Sequence, residues 1–142
     1  MTANKITTTA EGTTARSHPA TAAEARASVR RLLHKKFCTE NAGTVEDFVL
    51  ANALLVTSEL VTNAIVHGGG LARFTARITD GGLRLSVTDR SRVRPTAVHR
   101  PNEAAGMQPG GYGWNLVQRL SSDITVSPIA GGKTIQVLVP LI

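Results

Sequence analysis

The sequence has one cysteine, Cys38, in 142 residues, which excludes an internal disulfide and any metal centre built from several thiolates. Aromatics are scarce as well: one Trp, one Tyr and three Phe give no platform on which nucleic-acid bases would stack. Long apolar runs are missing, because Thr57, Ser58, Glu59, Thr62 and Asn63 interrupt the most hydrophobic stretch; no membrane span is therefore expected. Residues 1–16 lack the apolar centre of a signal peptide, and a cytoplasmic location follows as the expectation. Acidic residues are the minority charge, with ten Asp and Glu against sixteen Lys and Arg and a net charge of +6. Such a balance raises nucleic acid as a partner, but the basic residues are dispersed. Arg26, Arg30, Arg31, Lys35 and Lys36 are spaced like the solvated face of one helix, and Arg90, Arg92, Arg94 and Arg100 share one loop. A solvated or protein-facing surface is expected instead.

What is present is a normal apolar content of 42%, enough for a core in a chain that fits a single domain. Residues 1–17, rich in threonine, read as a tail that stays disordered or pairs weakly at a sheet edge, leaving 18–142 as the domain. Thr21 with Glu24 is a capping-box pattern ahead of Ala22, Ala25, Val29, Leu32 and Leu33, which predicts a first helix from Thr21 to Phe37. A second helix is expected from a Thr44 cap to His67, with Phe48, Ala51, Leu55, Leu60, Ala64 and Ile65 as its buried stripe and Gly68-Gly69-Gly70 as its stop. Strands over Ala72–Thr79 and Leu83–Thr88 flank Asp80-Gly81-Gly82, a hairpin signal. Residues 90–112 show no periodicity, and a connection of that length inside a compact domain is often functional. A short helix, Trp114–Leu120, and two strands, Ile124–Pro128 and Thr134–Val139, complete the chain. The expected fold is an α/β two-layer sandwich, a mostly antiparallel mixed sheet of four to five strands with three helices on one face.

Two polar residues stand out in the second helix. Glu59 and Asn63 are four apart, hence on one face, and His67 continues the stripe. Either this is a partly exposed face bearing ordinary polar residues, or the carboxylate and amide serve a ligand, since burying them unpaired costs several kcal/mol. Their oxygens suit Mg²⁺ with a phosphate chain better than a transition metal. Asp89 ends a strand, where it is either a turn former or an acceptor for an amino group. Gly110-Gly111-Tyr112-Gly113 leads into a helix, whose N-terminal N–H groups favour phosphate; no Gly-Lys-Ser/Thr follows, so it is not a P-loop. No Ser/His/Asp set is arguable from the dispersed histidines.

The order of these parts resembles the ATP-binding fold shared by gyrase, histidine kinases, the heat-shock chaperone ATPase and MutL-type proteins, and within it the anti-sigma-factor serine kinases. Glu59-Leu-Val-Thr-Asn63-Ala-Ile-Val-His67-Gly68 looks like their N box. Val87-Thr88-Asp89 looks like the adenine box, Gly110-Gly111-Tyr112-Gly113-Trp114 like the second glycine box, and Gly132-Lys133-Thr134 like the closing box. The resemblance implies Glu59 as general base and Asn63 as Mg²⁺ ligand. It implies Asp89 on the adenine amino group with Ser91 and Thr134 beside it. Gly110, Gly111, Gly113 and Trp114 would lie along the ATP lid of about residues 90–112, with His67 near the phosphates. It further implies ATP and Mg²⁺ as cofactors, a sigma factor or an antagonist protein as partner, and pairing into a homodimer. The implied activity is a serine/threonine protein kinase acting as a switch; the alternative is a non-catalytic ATP-binding module whose lid controls a partner. Two departures are plain: the family's Asp-x-Gly-x-Gly reads Asp89-Arg90-Ser91-Arg92-Val93, and Tyr112 and Trp114 replace the usual Arg and Leu.

Overall fold

The computed structural model describes residues 5–9, 12–17, 21–39, 47–95 and 111–141. Helix α1 (Ala22–Thr39) starts where Thr21 was expected to cap it, its Oγ1 accepting from the Glu24 amide at 3.1 Å. Ala25, Val29, Leu32 and Leu33 are fully buried, as the 3.6-residue period required. The Thr44 cap expected for the second helix lies outside the described residues.

Helix α2 (Asp47–Val66) is apolar nearly all round, with a mean hydropathy of 1.6 over Phe48–Val66. By length and composition it would pass as a membrane span, contrary to the expectation from its interruptions, yet one face packs into the core of this fold. The even distribution of apolar residues also misled the choice of face. Of the expected stripe Leu60 and Ala64 are buried, alongside Val49, Ala53, Val56 and Val61, whereas Phe48, Ala51, Leu55 and Ile65 are exposed. The helix stops as expected: Gly68 N and Gly70 N both donate to Ala64 O at 3.1 and 3.0 Å, with φ of 71° at Gly69 and 118° at Gly70.

Strands β3 (Leu71–Thr79) and β4 (Gly82–Asp89) form the expected hairpin. Helix α3 (Gly111–Leu120) begins three residues earlier than expected, and β5 (Asp123–Ile129) and β6 (Gly132–Val139) close the chain. Among the described residues the sheet has six strands in the order β1-β2-β3-β4-β6-β5, every ladder antiparallel. The expected four to five strands, in a mixed sheet, thus become six without a parallel pair. The extra hairpin is β1 (Lys5–Thr9) with β2 (Gly12–Ser17), and β2 continues the sheet by pairing Thr14–Ser17 with Phe74–Arg77. Threonine favours extended backbone, so a tail that cannot build its own core still adds to an existing edge.

Helix α2 lies on β3, β4 and β6, with α1 and α3 beside it. The result is the expected two-layer sandwich. Phe74, Ala76 and Ile78, then Leu83, Leu85 and Val87, then Ile135, Val137 and Val139 face the helices, the period-2 alternation of a sheet with one covered face.

Candidate functional site

The site lies where the second half of α2, the start of α3 and the ends of β4 and β6 meet. Glu59 and Asn63 are half-buried on one side of α2, and their side chains make no hydrogen bond to any described residue. The Glu59 carboxylate reaches the first turn of α3. A Cβ on Gly113 would fall on its Oε1 and stand 2.8 Å from its Cδ, so only glycine admits this approach. Glu59, Asn63 and the opening turn of α3 therefore form one polar corner, with a carboxylate and an amide that are unpaired among the described residues, and helix N-terminal N–H groups. These groups suit a Mg²⁺-bound phosphate chain: oxygen donors for the cation, N–H donors for the anion.

The rest of the predicted set is placed less uniformly. His67 is exposed just past the helix, its N–H on Asn63 O at 2.9 Å. Gly111 opens α3, and Gly110 lies outside the described residues. Trp114 does not line the polar corner. It is 7% exposed and belongs to the apolar core, because α3 is amphipathic and buries Trp114 and Val117 on one face.

Asp89 is 5% exposed at the end of β4, on the helix-facing side. It is held from three directions. Gly68 packs against it so closely that a Cβ there would meet Oδ2 and stand 2.7 Å from Cγ. The Ser91 amide donates to Oδ1 at 3.0 Å, and the Lys133 ammonium donates to Oδ2 at 2.8 Å. Lys133 is itself 5% exposed and gives a second hydrogen bond to Ser91 O at 3.1 Å. The register pairs Asp89 with Lys133 across β4 and β6, so both point to the helix layer. Thr134, expected beside Asp89, is one residue further and so on the opposite face, where its hydroxyl bonds that of Thr88 at 2.8 Å. The cause is the strict alternation of the strand: with Ile135, Val137 and Val139 inward, Lys133 must be inward and Thr134 outward.

Lys133 is the residue that sequence reasoning missed, and counting back from that alternation would have found it. Gly132 of the closing box has a packing role of its own. It brings β6 against the backbone carbonyl of Asp89, where a Cβ would collide.

The four arginines around 90–100 were expected in one loop. Arg90 turns back over the end of α2: its amide donates to Gly68 O at 2.8 Å and its guanidinium to Leu71 O at 3.3 Å. Arg92 and Arg94 join Lys133, Val126 and Pro128 around a cavity of about 230 Å³, while Val93 between them is exposed. Arg100 lies outside the described residues.

The family model described as a histidine kinase-like ATPase domain matches residues 15–138. The chain belongs to that family. Membership supports an ATP-binding, regulatory function and kinase or ATPase chemistry. Among solved structures the chain is similar to the blue-light activated histidine kinase of Erythrobacter litoralis EL346, at 27% identity over 68% of this chain and 32% of that one, with a TM-score of 0.48. It is also similar to the histidine kinase domain of the same protein, at 27% identity over 66% and 48% of the two chains, with a TM-score of 0.45. The chain thus spans about a third and about half of those structures. No curated protein matches it.

Proposed function

We propose that this chain is an ATP-dependent serine/threonine protein kinase of the anti-sigma-factor type, a cytoplasmic switch that phosphorylates an antagonist protein and otherwise holds a sigma factor. The observation that carries this reading is the Glu59 carboxylate, unpaired among the described residues and lodged against Gly113 at the start of α3, with Asn63 one turn further along α2. A carboxylate in that position accepts the proton of a serine hydroxyl as it attacks. The Asn63 side-chain oxygen would ligate Mg²⁺, and the α3 N–H groups face the phosphates. Bound ATP supplies the phosphoryl group; this chain positions it and takes up the proton. Arg30, Arg31, His34 and Lys35, exposed along α1, offer a basic docking face for an acidic partner.

The test is transfer of γ-labelled phosphate from ATP to a candidate antagonist protein, with ATP affinity measured separately. Glu59→Gln should lower transfer by about 100-fold, the usual worth of a general base, and leave ATP affinity within a few-fold. Asn63→Ala should abolish the Mg²⁺-dependent part of ATP binding. Transfer unaffected by Glu59→Gln would overturn the assignment of the base.

The Asp89–Lys133 pair favours a second reading, a non-catalytic module in which nucleotide sets the lid and a partner reads it. Under that reading ATP binds and Glu59→Gln changes nothing measurable in the partner's affinity.

A further inference from the structure

The inference rests on the ATP-binding reading and concerns what the base end of the site can recognise. A buried carboxylate at a strand end reads an amino group only if it has an acceptor to offer. In Asp89 each oxygen already accepts one hydrogen bond, Oδ2 from Lys133 at 2.8 Å and Oδ1 from Ser91 N at 3.0 Å. With Gly68 packed against Oδ2 and the side chain 5% exposed, its remaining lone pairs are closed off. The competing donor is not a passing surface lysine. Lys133 is 5% exposed, is in register with Asp89, and is braced by Ser91 O at 3.1 Å. A tethered ammonium of this kind meets Asp89 without the loss of freedom that a ligand's amino group incurs on binding. Thr134, the other group expected to read the base, spends its hydroxyl on Thr88 on the far face of the sheet.

What faces the neighbouring cavity is of a different kind. Arg92 and Arg94 alternate about the exposed Val93, and with Lys133, Val126 and Pro128 they line about 230 Å³. Neither arginine has a partner among the described residues. Guanidinium planes and an apolar strand edge hold a planar ring by its face, and every base has the same face to offer. The phosphate corner at Glu59, Asn63 and Gly113 is indifferent to the base.

We infer that Lys133 takes the place of the nucleotide's amino group on Asp89, so that this site accepts nucleoside triphosphates with little discrimination between adenine and guanine. A free carboxylate facing the 6-position of the ring would accept from adenine's amino group and meet only guanine's carbonyl oxygen there, a preference of about tenfold or more, the worth of one charge-assisted hydrogen bond. Here ATP and GTP should bind within about threefold of each other.

The experiment is calorimetric titration of the full chain with ATP and with GTP, each with Mg²⁺, repeated on Lys133→Thr. Affinities within about threefold for the native chain, rising to an ATP preference of about tenfold in Lys133→Thr, are the expected result. A native preference for ATP of tenfold or more would overturn the inference and leave the ATP-binding reading intact. Equal affinities that stay equal in a folded Lys133→Thr would remove Lys133 from the explanation and overturn it too. Binding of neither nucleotide at millimolar concentration would overturn the ATP-binding reading itself. Should Lys133→Thr fail to fold, as judged by circular dichroism, Lys133→Met, which removes the donor and keeps the length of the side chain, replaces it with the same expected result.

Discussion

Replacing Asp89 by Asn removes a charge whose partner stays behind. The Lys133 ammonium would be left buried with only neutral oxygens, Ser91 O and the new amide oxygen, to receive it, and breaking a buried pair from one side costs about 3 kcal/mol or more. Urea unfolding of Asp89→Asn should show a loss of that size. Gly68→Ala presses on the same carboxylate from the helix side. With Asp89 pinned by Lys133 and Ser91, the new methyl has nowhere to move it, and a loss of about 1–3 kcal/mol is expected. Gly113→Ala should behave differently, because its Cβ meets the far end of a flexible side chain. Glu59 can swing aside, and alanine is the better helix former. Thermal denaturation should therefore show no loss of stability, while phosphoryl transfer falls by about 100-fold as the base is displaced.

Besides their apolar packing, helices α1 and α2 are joined by a directional contact, Arg26 Nη1 on Ser58 Oγ at 2.8 Å. Arg26→Ala should cost about 1 kcal/mol by denaturant unfolding, without changing nucleotide affinity. The elements themselves were legible in the sequence because their signals are local: the Thr21 cap, the three glycines after α2, and the glycine turns at 81–82 and 131–132. The expected face of α2 held at Leu60 and Ala64 and failed at Phe48, Ala51, Leu55 and Ile65, because a helix apolar nearly all round has little contrast to read. The Glu59–Asn63 pair was legible from helical spacing alone. Its approach to Gly113 was not, since the two are brought together only by how α3 packs on α2. Lys133 and Thr134 were distinguishable in principle by strand alternation, but a motif read as a string carries no face.

At the scale of the whole molecule, the N-terminal hairpin decides what the sheet shows at one side. With β2 in place, β3 is an interior strand; without it, β3 becomes a nine-residue edge. Deleting residues 1–17 should leave α2, α3 and the nucleotide corner in place, because α2 rests on β3, β4 and β6, while α1 loses β2, the strand it packs on, and keeps its contact with α2. It should also expose a pairing edge that recruits other copies. Size-exclusion chromatography with light scattering should then show a concentration-dependent rise in mass for the truncated chain beyond that of the full one.

The other side of the sheet, away from the helices, carries Arg73, Arg77 and Arg84 among threonines and serines, with Arg77 and Arg84 directly opposite each other in the β3–β4 ladder. Arg73 and Arg84 make this surface a repulsive spacer: two copies approaching sheet to sheet would bring these arginines together at short range. Salt thins that barrier, since screening at 1 M reaches only about 3 Å. The bare face of the sandwich is thus kept apart from its own kind by charge, and ionic strength sets how firmly.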